Sequence, residues 1–427
     1  MRYFLRNRSK RCPPSVSPIV IVRITRFHNI PSPLPINCGT AIIIIHHPHL
    51  CYNESMQQAG YQDNIQPYAP RLEWVPFKVY KTGIRHDVML IVVTLFAYFT
   101  VQTIASSIIT ILQMALGGGF ARIIESSMAN LGSGEAPPDM AVQLEEIMGA
   151  MFGTMPGGLA LTQILSIVLS FPVFFIVAGK LWFSEYVPKV GRRMDALIFL
   201  QLFALAMGAQ LVFSLAGGLI NSLLEPFGLS MTNAYDASIN QMLTPIGLAY
   251  IIIIGPVSEE LIFRGAIMRR LEKHGANFAI LLSSAFFALY HMIIIQMMFA
   301  FIVGLVLGYT TQRYSLKWAI LLHTAVNGLS IGLSLAFGEG IVTSAVFFAC
   351  FAAALLLLIL RRRYIQAEIA AGRTADTMQF PEMLPRSPEG RPLASPYKIA
   401  FSSVFMILYI AFTVLMGLYS IVAPLIF

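Results

Sequence analysis

The sequence predicts an all-α fold: a polytopic transmembrane helical bundle of about nine helices with a cytoplasmic N-terminus. Three observations carry this. Hydrophobic residues make up 56% of the 427 and charged residues only 12%, about half the charged share of a soluble domain. The apolar runs are long and unbroken, without the alternation that barrel strands would show, so helices rather than a closed barrel satisfy the backbone in lipid. Lysine and arginine gather in every second connection between those runs, as the positive-inside rule requires.

Residues 1–55 stand outside this pattern. They hold Arg2, Arg6, Arg8, Lys10, Arg11, Arg23 and Arg26 against one acid, Glu54, which is +6 of the formal +8. They also hold Cys12, Cys38, Cys51, His28, His46, His47 and His49, and an apolar run, Ala41–Ile45, too short to span. The stretch reads as a basic extension, either disordered or lying upstream of a true start at Met56. The alternative is a basic arm lying on anionic lipid. His46-His47-Pro48-His49 has no acidic or helical context to make it a metal tract. Cys350 sits alone in an apolar segment, so no disulfide is expected, nor is a cleavable signal peptide.

Residues 56–87 form a cytoplasmic juxtamembrane segment with Arg71, Lys78, Lys81 and Arg85. The N-terminal membrane region, 88–242, contains spans at Val88–Leu112, Leu159–Leu181 and Ala196–Leu219. Between its first two spans an outside loop carries Glu125, Glu135, Asp139, Glu145 and Glu146 against Arg122, with room for a short amphipathic helix. Lys189, Arg192 and Arg193 follow the second span; Glu225 and Asp236 are the only charges of 225–242 after the third. The core segment, 243–336, holds spans at Leu243–Phe263, Phe278–Met292, Met297–Thr311 and Trp318–Phe337. Arg264, Arg269, Arg270 and Lys273 follow the first of these, and Arg313 and Lys317 separate the last two. An eighth helix, Val342–Leu360 within 337–363, ends on Arg361-Arg362-Arg363. A proline-rich cytoplasmic linker, 364–397, precedes the C-terminal segment 398–427 and its helix Ile399–Ile421. That linker sets the last helix apart, and its place is expected to be peripheral to the chemistry.

The core segment carries polar residues that lipid makes expensive. Each charge at a bilayer centre costs about 2.5–3.5 kcal/mol on insertion scales, so intramembrane ionisable groups are functional candidates. Glu260 and Arg264 are four apart, share a helix face and can neutralise each other. Glu259, rotated about 100° from its neighbour, is left free for chemistry. Phe287 and His291 share a face on the next helix, and His323 and Asn327 on the seventh. Glu259 lies about 15 Å in from Arg269, His323 about 9 Å from Lys317 and His291 about 20 Å from Asn277. Helix tilt and a cavity open to the cytoplasm could join them. Hydrolysis is the chemistry available. Glu259 would take a proton from water with help from His291, and His323 and Asn327 would hydrogen-bond to the oxyanion. The open alternative is a divalent metal such as zinc held by Glu and His.

The order Glu259-Glu260…Arg264, Phe287…His291, Phe301…Gly304…Gly308, His323…Asn327 resembles the CAAX protease and bacteriocin-processing (CPBP, Abi) intramembrane endopeptidases. The resemblance covers 243–336, which it makes the catalytic core. It implies a glutamate-dependent endopeptidase with Glu259 as base, His291 assisting water, and His323 and Asn327 as oxyanion donors. Glu260 and Arg264 are then structural support, and Phe287, Phe301, Gly304 and Gly308 helix packing. It implies no cofactor, though zinc stays open, and an integral multi-pass place in a bacterial cell membrane. Membrane lipid and a membrane-associated peptide or protein substrate are the expected partners, and nucleic acid is not. Related sequences often carry Gly or Asn after the first histidine. Here Met292 follows, and the bend before Phe299 has no turn former. The competing functions are a non-catalytic immunity or scaffold protein and a proton-coupled transporter, the latter disfavoured by the lack of an internal repeat.

Overall fold

The computed structural model describes residues 19–23, 42–46, 77–116, 157–232, 236, 239–338, 340–370 and 395–426. The expected outside loop and most of the basic extension and proline-rich linker lie outside the described residues. The chain divides into two units, 1–66 and 67–427. In the first, β1 (Ile19–Arg23) and β2 (Ile42–His46) pair antiparallel, with Ile19 opposite His46 and Arg23 opposite Ile42. Both are β-branched runs, which suit a pleated ribbon. The first was not singled out from sequence.

The second unit is an all-α bundle. Its helices are α1 (Phe77–Leu116), α2 (Gly158–Ser170, carried on by tighter turns to Ala178), α3 (Ala196–Leu224) and α4 (Pro245–His274). Next come α5 (Ala276–Tyr290), α6 (Ile294–Arg313), α7 (Leu316–Phe337) and α8 (Ile341–Ala370). The short α9 (Pro396–Phe401) and α10 (Val404–Ile426) close the chain. Side-chain caps start two of them: Asp195 accepts from the Leu197 amide at 2.9 Å, and Thr244 from the Gly247 amide at 3.1 Å.

Among the described residues eight helices are long and apolar enough to cross a membrane. The fifth expected span falls short of that. Helix α5 has 15 residues, so it reaches only about 22 Å against a hydrocarbon core of about 30 Å. Protein rather than lipid encloses it: Phe278, Leu282, Phe286 and Phe287 are at most 1% exposed. Helix α1 in turn starts at Phe77, not Val88, because its polar first turns continue the helix beyond the apolar stretch.

The basic connections meet at one end of this bundle. Asp87 of α1 is buried and pairs with Arg270 at 3.0 Å, Lys273 at 2.8 Å and His274 at 2.7 Å at the close of α4. Lys189, between α2 and α3, pairs with Glu272 at 2.9 Å. The Arg192 amide donates to the Arg313 carbonyl at 2.9 Å, tying that link to the one before α7. Four connections rich in Lys and Arg therefore share one side, which the positive-inside rule assigns to the cytoplasm.

Helix α10 packs into the bundle core. Tyr409 is fully buried, with its ring 5.8 Å from Phe96 on α1 and 5.7 Å from Phe286 on α5. The linker separates α10 in sequence only; its buried face belongs to the same apolar core as α5.

Candidate active site

Helix α4 is built around an irregular stretch. Two wide, π-type turns, Tyr250–Ile254 and Leu261–Met268, flank Gly255–Glu260. Wide turns of this kind often sit at functional sites. The first has a cause in sequence. The Gly255 amide reaches back five residues to the Tyr250 carbonyl. The next bond in that register would run from residue 256 to the Ile251 carbonyl, and Pro256 has no N–H to give. Asn327 on α7 supplies the missing donor: its Nδ2 bonds the Ile251 carbonyl at 3.0 Å. One amide hydrogen of Asn327 is thus committed to α4, and the second is not.

Glu260 and Arg264 form a closed pair. Both side chains are 0% exposed, and Arg264 Nη1 donates to Glu260 Oε1 at 2.8 Å. Arg264 Nη2 donates to the Gly304 carbonyl at 3.1 Å, and the guanidinium lies 4.3 Å from the centroid of the Phe287 ring. Gly304 makes this possible, since a Cβ there would meet Arg264 Nη2 at 3.2 Å and Ser284 Cβ at 3.1 Å. One turn on, Gly308 faces Ile280 of α5. Phe301 packs at the edge of the main core. Glu260 Oε2 and Arg264 Nε have no hydrogen-bond partner among the described residues.

His323 joins the two glutamates. Its Nδ1 lies 3.0 Å from Glu260 Oε1, and its Nε2 3.8 Å from Glu259 Oε2. A carboxylate only accepts, so Nδ1 carries a hydrogen toward Glu260 and Nε2 faces Glu259. Glu259 stands outside the buried pair, with its side chain 21% exposed. Just past α5, His291 Nδ1 lies 2.8 Å from the Phe287 carbonyl. Because a carbonyl also only accepts, neutral His291 keeps its Nε2 as an acceptor. Glu259, Arg264 and His323 all lie within electrostatic range of His291. The Phe287 ring stands edge-on to both histidines, with centroids 4.8 Å from His291 and 5.8 Å from His323. It also touches Phe263 edge-on at 5.2 Å.

Glu259, Glu260, Arg264, Phe287, His291, Gly304, His323 and Asn327 are therefore drawn together from α4, α5, α6 and α7. Three tyrosines were missed. Tyr98, Tyr250 and Tyr290 all lie within electrostatic range of Glu259. Their signal is a hydroxyl in the middle of an apolar segment, where a polar tip needs a partner. Among the described residues no three His, Cys, Asp or Glu side chains are arranged to hold a metal ion.

The polar centre thus gathers two carboxylates, an arginine and two histidines inside a bundle of apolar helices. Residues 241–329 match the family described as Rce1-like, Type II CAAX prenyl endopeptidase Rce1-like. That is about a fifth of the chain, and it contains all four motifs. That stretch is thus similar to the family that the motifs resemble. No curated protein and no solved structure matches the chain.

Proposed function

We propose that the chain is an intramembrane endopeptidase that hydrolyses peptide bonds of membrane-associated or lipidated peptides or proteins, with Glu259 as general base. The observation that carries this is the asymmetry of the two glutamates. Glu260 is locked in a fully buried pair with Arg264, while Glu259 is partly exposed and faces His323 Nε2. A carboxylate left free beside an imidazole is what water activation needs.

The step runs as follows. Glu259 takes one proton from water, while neutral His291 accepts a hydrogen bond through Nε2 from the hydrogen that stays on the oxygen. The hydroxyl oxygen bonds to the scissile carbonyl carbon, whose oxygen becomes the oxyanion. The uncommitted Asn327 amide hydrogen donates to that oxygen. His323 can donate from Nε2 only as the doubly protonated ring, because Nδ1–H is given to Glu260. In that form His323 and Arg264 balance the two glutamates in charge. When the C–N bond breaks, Glu259 returns its proton to the leaving amine.

The test is cleavage of a membrane-anchored, prenylated CAAX reporter peptide by the purified chain in proteoliposomes. Cleavage that persists in a zinc chelator supports the metal-free mechanism. Loss in chelator with recovery on adding zinc overturns it.

A further inference from the structure

The segment that carries His291 is strained. After α5 ends at Tyr290, His291 keeps helical angles, and Met292 adopts φ 55°, the one positive φ outside glycine among the described residues. Ile293 is then extended, with φ −114° and ψ 119°, and α6 begins at Ile294. A left-handed residue at a helix C-terminus is usually Gly or Asn, because a Cβ crowds the backbone there. A side chain in this region persists only where its surroundings over-determine it. Something must therefore hold this turn.

The neighbour on that side is α10. Met406, Tyr409 and Thr413, each 0% exposed, and the buried Gly417 follow one another at steps of three, four and four, so they share one face of α10. The upper part of that face rests on Phe96 and Phe286 through Tyr409. Its far end arrives at the turn itself. A Cβ on Gly417 would lie 2.8 Å from Ile294 Cγ1 and 3.2 Å from the Met292 carbonyl oxygen. The backbone of α10 is thus seated directly against the two residues that flank the bend.

We infer that α10, which lies outside the matched domain, is a positioning element for the active site, and that Gly417 holds the Met292 turn so that His291 stays on the site. This rests on the reading of His291 as an active-site residue. Gly417 touches no reacting atom and acts through the turn.

Two readouts test it. In the reporter assay, Gly417→Leu should lower kcat at least tenfold with KM held within twofold. Leu418→Ala, on the exposed side of the same helix, should leave both unchanged. Adding Met292→Gly to Gly417→Leu should bring kcat back to within threefold of the parent, because glycine lets the turn re-form around the larger side chain. In thermal melting of the purified chain, Gly417→Leu and Met292→Gly should be non-additive by at least ~2 °C, since residues in contact couple. Retained kcat in Gly417→Leu, or additive melting shifts, overturns the inference. Glu259→Gln measured alongside separates the two levels. If it keeps cleaving, the proposed catalytic base falls, while the melting coupling still decides whether Gly417 holds the turn.

Discussion

The two adjacent carboxylates of α4 meet different surroundings because they point different ways. Glu260 faces Arg264 and His323; Glu259 faces His323 and open space. Removing one partner of a fully buried ion pair strands the other charge and costs about 3–5 kcal/mol. Glu260→Ala should therefore cut folded yield sharply, read as the monodisperse fraction on size exclusion. Combining it with Arg264→Met should recover much of that yield, and a double variant no better folded than Glu260→Ala would contradict the pairing. The Glu260–Arg264 pairing was legible in the sequence, because i, i+4 spacing survives even through a wide turn. The bridge through His323 was not. It joins residues 63 apart, and no local periodicity reports which imidazole nitrogen faces which carboxylate.

The irregularity of α4 and the bend after α5 are each met by a residue of another helix. Pro256 removes a donor from α4, and Asn327 of α7 replaces it. In lipid an unsatisfied backbone carbonyl costs several kcal/mol. Asn327→Ala should lower the melting temperature, and Pro256→Ala, which restores the backbone N–H, should rescue it. Activity gives the second half of the prediction: the rescued double variant should remain slow, because the proposed oxyanion donor is still missing. Full recovery of activity would leave Asn327 a purely structural role. The proline was visible in the sequence, but its partner depended on a five-residue register that sequence spacing does not announce. The same holds for the bend after His291. The absence of a turn former was legible; that Met292 itself takes the left-handed conformation, with α10 against it, required the tertiary packing.

At the scale of the molecule, the order and number of apolar helices followed from hydropathy and charge alone. Helix α5 is shorter than the other spans and enclosed by protein. Hydropathy measures how apolar a segment is, not whether lipid or protein surrounds it. The packing of the last helix into the core was not legible for a related reason: a long linker separates residues in sequence without separating them in space. The clustering of Asp87, Arg270, Lys189 and Arg192 at one end makes the topology testable. In a variant cleared of native cysteines, single cysteines replacing Lys189 and Ser230 should label from opposite sides of sealed vesicles, with Lys189 on the cytoplasmic side. Labelling from the same side would break the bundle's predicted parity.

The proposed roles of Glu259 as base and Glu260 as support separate in the single-turnover cleavage rate of the prenylated reporter by Glu259→Gln in proteoliposomes, normalised to correctly folded protein. Cleavage should fall by at least ~100-fold with wild-type yield and melting behaviour. Cleavage at a rate near that of the unaltered chain would contradict these roles.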